Sequence, residues 1–153
     1  MCRLGGPCAR PVERRRRTDL IGLCEAALDG HLDRVQADWD PRAAVGVVLA
    51  AGGYPDTVRK GDPIDGLTRA ARLPGKVFHA GTARDGDAIV TSGGRVLCAV
   101  ALGATVAAAQ QDAYAPVDSI RFTGMQYRRD IGHRAIAREQ AGDPLPGPRG
   151  APR

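Results

Sequence analysis

Asparagine is missing from the sequence, and lysine occurs only as Lys60 and Lys76. The positive charge is therefore almost all arginine, within a formal net charge of +5. Heavy use of Arg, Ala, Gly and Pro beside those absences reads as the codon bias of a GC-rich genome. A basic balance of that origin is weak evidence for a nucleic-acid surface. Aromatic residues make up 4% of the chain, and no aromatic–basic interleaving suggests base stacking. No stretch nears the ~20 apolar residues of a membrane helix. The arginines near the start are followed by no apolar run, so no signal peptide is expected. Cys2, Cys8, Cys24 and Cys98 form no CxxC pair and have no histidine at ligand spacing. His31, His79 and His133 are scattered, without metal-ligand spacing. These features point to a reducing cytoplasm, with no metal ligated and no membrane partner.

At 153 residues the chain has a one-domain length, and its 43% of apolar residues suffices for a core. With few aromatics, that core must be Val, Leu, Ile and Ala. Residues Met1 to Arg17 are a Gly/Pro/Arg-rich lead without periodicity, read as irregular. Thr18 or Asp19 caps a helix to Asp29, with Leu20, Ile21, Cys24, Ala27 and Leu28 at helical spacing and Gly30 as the stop. Leu32, Val35 and Trp39 are expected to anchor the following connection to the core. Cys24 and Cys98 both read as buried thiols. Ala43 to Ala51 is a continuous apolar run, predicting a strand buried on both faces. Gly53 to Leu73 reads as a loop with several turn signals.

Lys76 to Ala80 reads as a strand that turns at Asp85-Gly86 and returns over Asp87 to Thr91. After Ser92-Gly93-Gly94, residues Arg95 to Leu102 form a third, well-buried strand. Thr105 caps a helix with Val106, Ala109 and Ala113 inward, expected to end near Ala115 because Pro116 follows. Ser119 to Phe122 reads as a short strand and Ile131 to Gln140 as a terminal helix. Ala141 to Arg153 reads as a disordered Pro/Gly/Arg tail. The fold class is α+β: a small antiparallel or mixed β-sheet lobe with flanking helices.

Four stretches in one order carry a more specific signal. They are Gly46 to Pro55 (GVVLAAGGYP), Lys76 to Thr82 (KVFHAGT), Thr91 to Cys98 (TSGGRVLC) and Arg129 to Ala135 (RDIGHRA). Together they resemble the C-terminal domain of glycinamide ribonucleotide synthetase, also called phosphoribosylamine–glycine ligase. The resemblance covers residues 18–140. It reaches back, in degraded form, to the end of the family's ATP-grasp domain over residues 1–17. There the family's Asp, Glu and Gln would fall on Gly6, Cys8 and Arg10. Its metal-binding Asn would fall on Met1, and its metal-binding Glu would lie before the chain.

The resemblance implies a lobe that closes the active site of an ATP-dependent ligase in purine biosynthesis. The family joins glycine to 5-phosphoribosylamine through an acyl phosphate, with ATP and Mg²⁺ held by domains that this sequence lacks. No ATP or Mg²⁺ is therefore expected on this chain alone, which should be inactive by itself and depend on the missing domains in trans. Arg95 is the leading substrate-binding candidate, because a guanidinium fork suits phosphate or carboxylate. Gly93 and Gly94 join it as positions where backbone can approach a ligand. A surface arginine after a tight turn is the plainer alternative. His79 reads as an ordinary exposed or hydrogen-bonded histidine, and no catalytic set is visible. A non-catalytic module binding a phosphorylated metabolite or RNA is the competing function. A docking face left partly apolar would favour self-association.

Overall fold

The computed structural model describes residues 6–142. Met1 and Cys2, and the tail beyond residue 142, lie outside the described residues. The centre of the fold is a three-stranded antiparallel sheet in the order β1 (Ala43–Ala50), β5 (Arg95–Gly103), β2 (Lys76–His79). Val45, Val47 and Leu49 alternate along β1 and pair with Ala101, Ala99 and Leu97 of β5. This face meets α4 (Val106–Ser119), whose Ala109, Ala113 and Val117 recur every four residues and are fully covered. Small side chains on the helix bring its backbone close to the sheet. Leu49 and Leu97 are wholly buried there, and burying each stabilises the fold by ~1.5–3 kcal/mol. The core is aliphatic, as the low aromatic content requires.

The residues between, Gly46, Val48 and Ala50, are half-buried on the opposite face of β1. The lead covers that face. It reads as irregular from sequence but forms a 3₁₀ turn over Pro7–Ala9 and then helix α1 (Arg10–Arg15). Its contacts explain the order: Cys98 Sγ donates to the Pro7 carbonyl at 3.4 Å, and the Arg10 guanidinium lies 5.4 Å from the Phe78 ring centroid. Gly46 is the contact point, since a Cβ there would lie 2.7 Å from Pro11 Cγ.

Helix α2 (Leu20–Leu28) starts where Asp19 accepts from the Ile21 and Gly22 amides, and ends before Gly30 at φ 70°. None of its residues is buried. Cys24 is exposed, and so are Leu32, Val35 and Trp39, which anchor no core. The reason is topological. Residues 18–38 leave the body as an excursion, and its neck is stitched shut. Arg17 N donates to Asp38 O at 2.9 Å and Asp40 N to Arg15 O at 2.6 Å. The buried Asp40 carboxylate is gripped by Arg42 at 2.7 Å, with Arg17 at 3.5 Å. The Arg42 hydrogen bonds hold that carboxyl well below the usual range.

Four further features depart from the sequence reading. The Gly53 to Leu73 loop contains α3 (Leu67–Ala70), a single turn too short to show periodicity, with Ala70 buried. The hairpin pairs β3 (Thr82–Asp85) with β4 (Ala88–Thr91), not Lys76 to Ala80 with Asp87 to Thr91. Gly81 diverts the chain: its N–H bonds Arg95 O at 2.8 Å and its carbonyl accepts from Ser92 and Gly93, so β2 stays with β5. Helix α4 continues through Pro116 to Ser119. Pro116 lies in the last turn, where one lost amide costs little, and its ring is buried. Arg121 makes a single bridge to Asp65 in place of the short strand expected over Ser119 to Phe122. Finally, α5 (His133–Ala141) sends Glu139 to accept from the Val106 amide at 3.0 Å, capping α4 from outside.

Candidate functional site

Three loops converge at one end of the sheet face that carries the lead. The Ala51 amide donates to Gly94 O at 2.9 Å, tying the turn before β5 to the end of β1. Ala50 and Gln126 exchange both backbone hydrogen bonds, at 2.8 and 2.9 Å, which brings in the segment after α4. The Tyr54 ring lies on Gly94, where a Cβ would sit 2.5 Å from Tyr54 Cδ2. Gly94 is therefore occupied on its open side by protein. Gly93 packs likewise on Gly81, at 3.2 Å from a built Cβ to Gly81 Cα.

Arg95, half-buried, lines two adjoining clefts of about 650 and about 460 Å³. Pro7 of the lead and Tyr54 border both. The larger continues along Gly46 and Val48 toward Tyr127 and Arg128, with mainly apolar walls. Gly94 borders the smaller cleft. Of the sequence candidates, the structure thus brings Arg95 and Gly94 together at an opening, with Gly93 behind them against Gly81.

The far wall is fixed by α4. Tyr114 Oη donates to Arg128 O at 2.6 Å and accepts from Ile131 N at 3.3 Å. Gln110 Nε2 donates to Ile131 O at 2.6 Å. Burial pushes the Tyr114 hydroxyl above its ordinary pKa, so it stays protonated as a donor. Arg128 forks onto Asp130 through two bonds of 2.9 and 2.6 Å. That pairing raises the Arg128 pKa and lowers that of Asp130. Arg129 stacks over Tyr127 at 5.1 Å. The Arg128-Arg129 pair is thus partly built into the cleft rim. Tyr54, Gln126 and Tyr127 are cleft residues that sequence reasoning missed. Tyr54-Pro55 reads from sequence only as one of the turn signals in the Gly53 to Leu73 loop, and Gln126 and Tyr127 carry no pattern at all.

His79 stands apart, exposed, with Nδ1 3.1 Å from Thr82 Oγ1. Among the described residues, no group of three His, Cys, Asp or Glu could hold a metal ion. The most enclosed carboxylates, Asp40 and Asp62, are each paired with arginine. What the arrangement offers is an arginine on the lining of an apolar-walled cleft.

Residues 44–134 match the family described as Phosphoribosylglycinamide synthetase, C domain. The chain belongs to this family. Phosphoribosylamine–glycine ligase of Vibrio cholerae serotype O1 is 58% identical over 140 residues, covering 92% of this chain and 33% of the relative. The ligase of Allochromatium vinosum is 59% identical, with the same coverage. A crystal structure of phosphoribosylamine–glycine ligase from Thermotoga maritima superposes with a TM-score of 0.54 at 38% identity, covering 71% of this chain and 27% of that one. The α+β lobe is thus the fold of a synthetase C domain, and it spans about a third of the length of the curated relatives it matches. A match over 92% of the chain takes in the excursion and at least the end of the lead. Among the described residues no helix is long and apolar enough to cross a membrane.

Proposed function

We propose that this chain is the C-terminal lobe of a phosphoribosylamine–glycine ligase, working in the cytoplasm in purine biosynthesis. The observation that carries this is the 58–59% identity, over 92% of the chain, to proteins bearing that name. In this reaction the glycine carboxylate takes the γ-phosphoryl group of ATP, giving glycyl phosphate and ADP. The amine of 5-phosphoribosylamine then attacks the acyl carbon. Phosphate leaves with the bonding electrons, the amine loses a proton, and an amide remains. On this reading ATP and Mg²⁺ are held by the portion that the relatives carry beyond this lobe, which spans about a third of their length, and the lobe alone is inactive.

Its own contribution is at the Arg95 clefts. Arg95 is the candidate contact to the substrate phosphate, since a guanidinium can bind phosphate through paired N–H donors. The turn through Gly93 and Gly94 sets where the Arg95 backbone lies, and Gly94 borders the cleft into which the substrate would reach. The apolar wall of Val48 and Ala50 excludes water from an acyl phosphate that water would destroy. Neither a free-standing metabolite module nor an RNA binder draws support from the relatives.

The test joins this chain, from Thr18 onward, to the preceding two-thirds of the Vibrio cholerae ligase. Glycine-dependent ADP release that requires phosphoribosylamine is expected. Arg95→Ala in that chimaera should raise KM for phosphoribosylamine at least tenfold, with KM for glycine unchanged. Unchanged kinetics would remove Arg95 from the site. A silent chimaera that is folded would reject the ligase reading.

A further inference from the structure

Tyr54 reaches the Arg95 clefts from a loop with almost no core of its own. Residues 53–57 are all exposed, and the Tyr54 ring lies on Gly94 with Val58 beside it. The loop is held at its two ends. At one, Tyr54 N donates to Ala51 O at 3.2 Å and Arg59 N to Gly52 O at 2.9 Å. At the other, Gly61 N donates to Thr91 O at 2.7 Å. Asp62 and Thr91 exchange two more bonds, Asp62 N to Thr91 Oγ1 at 3.1 Å and Thr91 N to Asp62 O at 2.9 Å. Thr91 is buried and stands just ahead of the turn to Arg95.

Those bonds need no side chain at position 62. Asp62 nevertheless places a carboxylate there, at 5% exposure. Its Oδ1 accepts from Arg59 Nε at 2.7 Å, and its Oδ2 is buried with no hydrogen-bond partner. Burying a carboxylate with one oxygen unsatisfied disfavours folding, and such a group calls for a reason beyond the fold. The Arg59 bond supplies one. That side chain is 60% exposed, so Asp62 and not burial sets its place. The pair ties the Arg59–Gly52 crossing to the Asp62–Thr91 clasp, and the two ends of the loop become one piece.

We infer that Asp62, acting through Arg59, is a positioning residue for the Arg95 clefts: the pair fixes the loop that lays Tyr54 on Gly94, beside Arg95. This rests on the ligase reading above and names what sets the width of its substrate cleft. Tyr54 and Arg95 border both clefts together, so the ring and the arginine are two sides of one opening. With the link cut, the Arg59 crossing loosens, the ring leaves Gly94 more easily and the opening widens. Binding of phosphoribosylamine weakens, while the phosphorylation of glycine, carried out by the portion beyond this lobe, is untouched.

The experiment uses the chimaera described above. Arg59→Ala and Asp62→Ala should each raise KM for phosphoribosylamine about fivefold or more, with kcat and KM for glycine within about twofold of the parent. Asp62→Asn, which still offers Arg59 an acceptor oxygen, should bring KM back to within about twofold of the parent. In a Tyr54→Ala background, Arg59→Ala should change KM by less than about twofold, because its effect passes through the ring. A purely structural joint gives less active enzyme, hence a lower apparent kcat at unchanged KM. That result overturns the inference, and so does an undiminished effect in the Tyr54→Ala background. If Asp62→Ala fails to fold, Arg59→Ala reads the same link from an exposed side chain. Hydrogen exchange of the full chain checks the link without the reaction. Arg59→Ala should speed exchange at the amides of residues 54 and 59 and leave residues 96–100 unchanged. Unaltered exchange at 54 and 59 overturns the inference whatever the chimaera does. A folded, inactive parent chimaera rejects the ligase reading and this inference with it, whereas an active parent whose variants keep its KM rejects this inference alone.

Discussion

Replacing Gly94 by alanine asks whether the glycine serves the backbone or makes room for Tyr54. Gly94 is not among the glycines with positive φ, so an alanine there meets no backbone strain. Its Cβ would lie 2.5 Å from Tyr54 Cδ2 and 2.9 Å from Cε2, both well inside an ordinary carbon–carbon contact of about 3.5–4.0 Å. The ring must yield. Tyr54 is 40% exposed, so it can swing outward, forfeiting its covered area. A fully covered tyrosine buries at least ~150 Å². About 100 Å² is therefore at stake, worth up to ~2.5 kcal/mol. Staying in place would cost a similar ~1–3 kcal/mol in overpacking. Gly94→Ala should therefore destabilise the lobe by ~1–2.5 kcal/mol in urea unfolding followed by circular dichroism. The decisive measurement is the same substitution in a Tyr54→Ala background. With the ring gone, its cost should fall below ~0.5 kcal/mol, because the two residues act as one contact. An undiminished cost there would refute the steric account.

Gly46→Ala should act on the lead and spare the body. Its Cβ would press on Pro11 Cγ at 2.7 Å, so amides of residues 9–15 should exchange faster while global stability changes by less than ~1 kcal/mol; unchanged exchange in α1 would show that the lead does not rest on Gly46. Asp40 should make the neck acid-sensitive. Its folded pKa is depressed by Arg42, so its contribution is complete above the ordinary carboxylate pKa near 4 and fades as pH falls below it. The urea midpoint of the parent chain should therefore drop more between pH 5 and pH 3 than that of Asp40→Asn, and parallel curves would remove Asp40 as the cause.

Local signals in the sequence proved reliable where one residue decides the geometry. Asp19, Gly30 and Thr105 cap or stop helices because their side chains, or the lack of one, act on adjacent backbone. The apolar runs at Ala43 and Arg95 are strands as their residues suggest, but only β5 is buried on both faces; β1 alternates buried with half-buried residues, against the expectation of two buried faces. Pattern misleads where it states a preference that tertiary structure denies. The α2 stripe has the periodicity of a core helix, yet periodicity names a face to be buried and not its partner. Pro116 has a strong local preference that a buried last turn overrides. At the cleft, Arg95 is legible as a candidate from its chemistry, and the structure places it on the lining. Tyr54 and Tyr127 are not legible, because their places depend on contacts between segments far apart in sequence: the Tyr54 ring on Gly94, and the Ala50–Gln126 bridge.

The order of the central sheet also bears on how the chain can be made. β1 is complete at Ala50 and β2 at His79, yet both find their partner in β5, which begins at Arg95. During synthesis the two earlier strands leave the ribosome with open edges, and neither can pair until the last has emerged between them. Their closing contacts span dozens of residues, which slows folding and leaves unpaired edges available to other chains meanwhile. A ribosome that stops before Arg95, or a protease that cuts at the Ser92–Gly94 turn before the strand has inserted, would therefore release two orphaned strands at once.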